Sequence, residues 1–290
     1  MNAIEIALEH HLERLEQDRS LHEVNHLRQR VEALDVLDVL LLDEHSIGAA
    51  LLHRAKAVCA QLESINSKLY ERIRREIECG AGAASLTEWM PDANNAANFT
   101  NRGGYDHLDE LIAGILQLEE PSARHIQLEP EMVPYQPTPA RHIFDLIRRA
   151  ALTDRESLVD VGSGLGQVTL IASICTNATC TGIELERSYI ECARKSAYSL
   201  NLKNAKFIQG DVRGADFSQG TVFYLYTPFS GTILRNVLDS LSQQALTRKI
   251  RVCTFGPCTR AVAEEPWLRG VGALETDRIA VFSSAQTSFA

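Results

Sequence analysis

Residues 158–167 read LVDVGSGLGQ. The apolar run is the heart of a strand, SLVDV over 157–161, and a helix over 166–176 follows it. Between them stand Gly162, Gly164 and Gly166 at alternate positions. A strand that turns sharply into a helix needs residues tolerant of positive φ, with no Cβ to keep a ligand away. The free N–H groups at the helix start then face a negatively charged group. Several nucleotide cofactors use such a turn, and spacing separates them. A dinucleotide turn places its third glycine three positions after the second. Here the gap is two, and Asp160 precedes the turn. The spacing disfavours a nicotinamide oxidoreductase.

Outward from the turn, periodicity predicts an α/β pattern. Thr138 is a hydroxyl N-cap and Pro139 a first helical residue for a helix running to about Ala151, with Ile143, Leu146 and Ile147 inward. Further strands are expected over 179–185, 205–210, 221–227, 249–255 and 278–284, with helices over 187–200 and 230–246. Alternating strands and helices make a mostly parallel sheet with helices on both faces. Ligands of such sheets bind at the carboxyl ends of the strands. Glu184 sits at the tip of the second strand, 22 residues after Gly162, where a carboxylate accepts both ribose hydroxyls. Asp211 ends the third strand, where it can accept an adenine amino group. With Asp160, these acids converge on one rim.

The chain before the sheet differs. Residues 1–80 read as a helical module, 81–134 as a linker with a short helix over 106–118, and 135–290 as the α/β domain. Leu8, Leu12 and Leu15 share one face, as do Leu27, Val31 and Leu34. DVLDVLLL (35–42) is apolar enough to be buried between helices, and Gly48 marks a helix junction or a close contact. The module is either a plain bundle or a partner-binding surface, a homodimer through these helices included. The stretch 79–105, rich in small and polar residues, reads as a linker or surface loop.

Bulk properties narrow the class. Of 290 residues, 45% are hydrophobic and 23% charged, enough for a sizeable core. A net charge of −9 argues against nucleic-acid partners, which need a basic field. The seven cysteines are an odd number in a chain of this size. With Glu5, Glu9 and Glu13 interrupting any signal-peptide pattern, they predict reduced thiols in the cytoplasm. Cys175 and Cys180, like Cys253 and Cys258, are separated by four residues rather than two and lack histidines at zinc-ligand spacing, so no metal site is expected. No apolar run approaches the roughly 18 residues of a membrane span.

The D-x-G-x-G-x-G string from Asp160 to Gly166, with Glu184 and Asp211 on the next strands, resembles motif I and its partners in the class I S-adenosylmethionine-dependent methyltransferases. The resemblance covers about residues 135–290. It implies a Rossmann-like, seven-stranded sheet closed by an antiparallel strand, a place 278–284 fits. It implies S-adenosyl-L-methionine as cofactor. Gly162, Gly164 and Gly166 then face its methionine half, with Ser163 adding a hydroxyl. Asp160 anchors the amino group, Glu184 the ribose, and Asp211 with Val212 frames the adenine. Amino methyltransferases often carry Asn/Asp-Pro-Pro-aromatic at the end of the fourth strand. LYTPFSG (225–231) keeps Pro228 and Phe229 but has Tyr226 and Thr227 in the first two places. Tyr226 is a candidate catalytic residue that can hydrogen-bond the nucleophile; Phe229 can supply an apolar wall. The same stretch also reads as a strand end with a helix cap at Ser230.

More finely, DVGSGLGQVTL, GIELE and KFIQGD look like the non-SET histone-lysine methyltransferases of the disruptor-of-telomeric-silencing type. That family has an Asn after the fourth strand and a basic nucleosome-binding segment; this chain has neither. The kinship thus extends to the catalytic domain and not to a histone substrate. YQPTP (135–139) falls where that family places a cofactor-covering loop, and Tyr135 is the second candidate catalytic residue: it can face a sulfonium or exclude water. His142 is a candidate base. The function expected is methyl transfer to an acceptor left open between small molecules, peptides and protein side chains. The alternative is a catalytically inactive S-adenosylmethionine-binding regulatory or interaction protein.

Overall fold

The computed structural model describes residues 2–90, 104–121 and 127–285. Residues 91–103 of the expected linker lie outside them. Seven strands form one sheet: β1 (Ser157–Val161), β2 (Thr179–Glu184), β3 (Ala205–Gln209), β4 (Val222–Leu225), β5 (Arg251–Thr254), β6 (Leu268–Val271) and β7 (Ala280–Ser284). Their spatial order is β3-β2-β1-β4-β5-β7-β6. The first five strands are parallel, and β7 runs antiparallel between β5 and β6. The order reverses between β1 and β4, which opens a crevice at their carboxyl ends.

Helices α1 (Ala3–Gln17), α2 (Leu27–Leu40), α3 (Ala49–Glu78), α4 (Gly82–Thr87), α5 (His107–Leu116) and α6 (Ala140–Ala150) precede the sheet. Helices α7 (Gln167–Cys175), α8 (Arg187–Ser199), α9 (Gly231–Thr247) and α10 (Cys258–Ala263) are threaded through it. On α9, Ile233, Leu234, Val237, Leu238 and Leu241 recur at helical spacing and pack with Val159, Phe223, Val252 and Phe282 of the sheet. Helix α7 is buried from Val168 to Ile174 because α4 and α6 also pack against it.

The expected elements of the sheet are present, with ends shifted by at most two residues. The seventh strand, β6, had no sequence counterpart. It is an edge strand with only Leu268 buried, so its residues do not alternate. The cap of α6 also differs. Pro139 is the N-cap, and the Thr138 hydroxyl lies 3.1 Å from the Tyr224 hydroxyl instead of capping the helix. A buried phenol needs a partner, and Thr138 supplies it.

The chain divides into two compact units. One comprises residues 1–75 with 106–115; the other comprises 76–105 with 116–290. In the first, Leu8, Leu12, Leu21, Ala33, Leu37, Ile47, Ala55, Val58 and Leu62 form the core. Gly48 does sit at a helix junction, its N–H donating to Glu5 Oε1 at 2.9 Å. The expectation that 35–42 is buried fails. Only Leu37 is buried there, while Val39 is 66% and Leu42 84% exposed. The inward face of α2 is set by Arg30, Ala33 and Leu37 at three- and four-residue spacing, which turns Val36 and Val39 outward.

Candidate active site

The glycine turn hangs from β2. The N–H groups of Gly162 and Ser163 both donate to the Ile183 carbonyl at 2.9 Å, and Gly166 N–H donates to Ser163 O at 2.8 Å. Gly162, Gly164 and Gly166 have φ of +81°, +52° and +79°. Space also demands glycine at all three, Gly166 facing the Phe207 ring. A Cβ on Gly162 would lie 2.5 Å from Pro228 Cβ, and one on Gly164 2.2 Å from the Tyr135 ring. The turn is therefore a hub against which a strap, residues 128–138, and the β4–α9 loop both close.

A cavity of about 570 Å³ opens at the carboxyl ends of the strands. Asp160, Gly162, Ser163, Gly164, Glu184, Asp211, Val212, Tyr135 and Tyr226 all line it. Gly166 does not; it precedes α7 and packs toward Phe207 of β3. Glu184 Oε2 accepts the Gly164 N–H and Oε1 the Glu186 N–H, each at 2.9 Å. The carboxylate thus ties the first strand's turn to the second's. Asp211 is bonded through both oxygens to Arg213, which also bridges to Glu129 on the strap. The Arg213 guanidinium and backbone N–H hold the Asp211 carboxyl below its ordinary range.

Asp160 is 4% exposed. The one hydrogen bond of its carboxyl among the described residues is a long one, 3.4 Å from Thr169 Oγ1. Burial, with the Glu184 charge adding to it, pushes its pKa up to about 7. Ser163 Oγ is buried against Gly182 of β2 without a hydrogen-bond partner among the described residues. An under-satisfied carboxyl lining a cavity fits a ligand end that carries hydrogen-bond donors and positive charge. The amino-acid end of S-adenosylmethionine is such a group.

The other rim is built from β4 and β5. The Tyr226 ring lies 4.7 Å from that of Phe255, and Phe255 is in turn 4.3 Å from His142. Thr227 has φ +41°, a strained value for a β-branched residue. Its hydroxyl explains how that value is held: it donates to Phe255 O and accepts from Cys258 N–H, both at 3.1 Å. The candidate base His142 is buried behind Phe255 and does not line the cavity. Tyr135 packs on Tyr189 at 5.3 Å. Burial raises the pKa of Tyr135 and of Tyr226, so both phenols are neutral at physiological pH.

The strap is pinned at three places. Glu129 meets Arg213, Val133 N–H donates to Pro228 O at 3.0 Å, and Glu131 takes the Ile233 N–H and Thr232 hydroxyl at the start of α9. Ser230, the expected cap, makes no side-chain cap bond there. Sequence reasoning passed over several lining residues: Gln167, Glu186, Tyr189, Phe255, Gly256 and Thr276. Gln167 and Glu186 are the last residues of the quoted LVDVGSGLGQ and GIELE and were within reach. Thr276 enters only because its carbonyl accepts the Gly256 N–H at 2.8 Å.

Fold and cavity together are those expected of a class I methyltransferase domain. Residues 152–249 match the family model described as a methyltransferase domain. The chain carries an S-adenosylmethionine-dependent methyltransferase domain, with S-adenosylmethionine as methyl donor. None of the curated proteins matches the chain. Similar solved structures include an RNA methyltransferase from Salinibacter ruber in complex with S-adenosyl-L-homocysteine, at 25% identity and TM-score 0.42 over 51% of this chain and 92% of that one. They also include TrmN from Thermus thermophilus, at 15% and 0.40 over 49% and 48%. A third is a SAM-dependent methyltransferase from Aquifex aeolicus, at 14% and 0.39 over 49% and 87%. Among the described residues no helix is long and apolar enough to cross a membrane, and no group of His, Cys, Asp or Glu is arranged to hold a metal.

Proposed function

We propose that the cavity at the ends of β1, β2 and β3 is the S-adenosylmethionine site and that the β4–β5 rim receives the methyl acceptor. The observation that carries this is the under-satisfied, buried Asp160 lining the same cavity as the glycine turn and Glu184. Asp160 and Ser163 would hold the amino-acid end, Gly162 and Gly164 its approach, Glu184 the ribose, and Asp211 with Val212 the adenine. When bound, the cofactor supplies a methyl group activated on a sulfonium. Each Glu184 oxygen keeps a lone pair for a ribose hydroxyl beyond the N–H it already accepts. Tyr135, seated over Gly164, excludes water. Tyr226, neutral and half-buried, orients the acceptor by hydrogen bonding and takes no proton at neutral pH. Gly166 serves the turn without touching ligand.

The finer kinship with the disruptor-of-telomeric-silencing type is supported by the GSGLGQV string alone. It stops at the cofactor half, because the chain offers Tyr224 and Tyr226 where that family has its Asn. Seven free cysteines support a reducing, cytoplasmic setting. Exposed Val36, Val39 and Leu42 support self-association through the N-terminal helices, which sedimentation would detect as a dimer lost in Val39→Lys. For the cofactor, calorimetry decides. S-adenosylmethionine is expected to bind at micromolar concentration and NAD not at all. Gly164→Arg and Glu184→Ala are each expected to abolish or sharply weaken that binding; undiminished binding in either overturns the assignment.

A further inference from the structure

The acceptor side of the cavity carries a chemistry of its own. Among the described lining residues, the charged ones are Asp160, Glu184, Glu186 and Asp211, all acids and all at the ends of β1, β2 and β3. Among the same residues there is no lysine, arginine or histidine. The described residues of the β4–β5 rim include no ionisable carboxyl or amine: Tyr226, Pro228, Phe229, Phe255 and Pro257 make its walls. Resting on the cofactor assignment above, we infer that the methyl acceptor is an uncharged aromatic small molecule whose ring lies against Tyr226 and Phe255.

Exclusion and fit both lead there. An anionic acceptor enters a cavity of four acids with no cation among the described lining residues to pair with it. An ammonium acceptor finds no carboxylate on this rim to strip or hold its proton. A flat neutral ring needs neither. The tilted Tyr226–Phe255 pair, at 4.7 Å and 40°, supplies aromatic surface to the rim. Phe229, 4% exposed, backs the floor. Thr227 fixes the wall, since its two hydrogen bonds tie the Tyr226 loop to the Phe255 loop. In the transfer, a lone pair of the acceptor's oxygen, sulfur or ring nitrogen forms the bond to the methyl carbon. The carbon–sulfonium bond breaks with its electron pair passing to sulfur. A hydroxyl or thiol acceptor releases its proton to water.

Three matched naphthalenes test this on full-length protein saturated with S-adenosylhomocysteine: 2-naphthol, 2-naphthoate and 2-naphthylmethylammonium. Calorimetry first records S-adenosylhomocysteine binding, whose failure overturns the cofactor assignment. With that binding intact, 2-naphthol is expected to bind at least about tenfold tighter than either charged analogue. Phe255→Leu, which keeps apolar volume and loses the ring, is expected to weaken 2-naphthol several-fold while leaving S-adenosylhomocysteine affinity unchanged; Tyr226→Leu provides a second variant with the same expectation. Binding of 2-naphthoate or the ammonium as tight as 2-naphthol overturns the inference. So does absence of any naphthalene binding, or indifference to both substitutions.

Discussion

Two buried ionisable side chains, one in each compact unit, stand in opposite conditions. Arg30 of the helical unit is wholly buried and fully answered. It donates to Asn66 Oδ1, to Leu21 O and to the carbonyls of Glu23 and Val24. Asp160 of the catalytic unit is nearly as buried but its carboxyl has one long bond from Thr169. Burial pulls the Arg30 pKa down and drives the Asp160 pKa up to about 7. A fold that spends four hydrogen bonds on one buried charge and a single poor one on another is holding the second for something else. Satisfied burial marks architecture; under-satisfied burial at a cavity marks a binding site.

The comparison breaks first if Arg30 is dispensable. Arg30→Met removes the guanidinium and strands Asn66 and three carbonyls, a loss on the order of 3 kcal/mol or more. Urea unfolding should show that loss while S-adenosylmethionine affinity of the folded fraction is unchanged. Stability within about 0.5 kcal/mol of the parent would remove Arg30 from the architecture.

Asp160→Asn should do the reverse. The folded-state pKa of Asp160, about 7, lies above the ordinary aspartate value, so between that ordinary value and the raised one the native state binds the extra proton. Wild-type stability therefore falls as pH rises through that window, then levels off. The neutral amide of the variant carries no such penalty, so the variant should melt higher than the parent at pH 8 and lose the slope. The same change should weaken S-adenosylmethionine by about tenfold or more at pH 8, about 1.4 kcal/mol. Parent affinity should climb with pH as Asp160 ionises, and the variant's should not. Equal affinities at pH 8 would leave Asp160 a structural acid.

What the sequence made legible follows the same division. Gly162, Gly164, Glu184 and Asp211 could be placed because each acts within one strand–turn–helix, where spacing is geometry. Arg30 reads as an ordinary helix-surface residue, since its partners at 21–24 and 66 are brought to it by the fold. The packing of Tyr135 over Gly164, and of Pro228 over Gly162, is likewise invisible to local pattern. DVLDVLLL misled because apolar count says nothing about which face a helix turns inward. The edge strand β6 went unseen because one buried residue in four leaves no period.

Thr227 sharpens the comparison with a case between the two: a strained residue whose hydroxyl is fully used. Thr227→Val keeps the shape and deletes both bonds, leaving the Cys258 N–H unanswered, at about 1–2 kcal/mol. Once an acceptor is in hand, the effect should fall on its KM more than on S-adenosylmethionine affinity, because the Tyr226 and Phe255 loops lose their tie. An effect confined to the cofactor would place the strain on the wrong rim.

The smallest effect belongs to Glu131, half-buried and bonded to the start of α9. The Thr232 hydroxyl, then the backbone N–H groups of Thr232 and Ile233, hold its carboxyl below the ordinary range. A depressed pKa gives stability that is present above the unfolded-state value and lost as pH falls through the folded one. Glu131→Gln should therefore lower the melting temperature slightly at pH 7, with the gap closing toward pH 3. Because Glu131 fastens the strap to α9, the variant should also expose the Val133 amide, which donates to Pro228 O, to faster hydrogen exchange. Faster exchange at Val133 with unchanged exchange in the core of α9 would locate the coupling in the strap itself, whereas an unchanged Val133 would show that the Pro228 carbonyl and Arg213 hold the strap without Glu131.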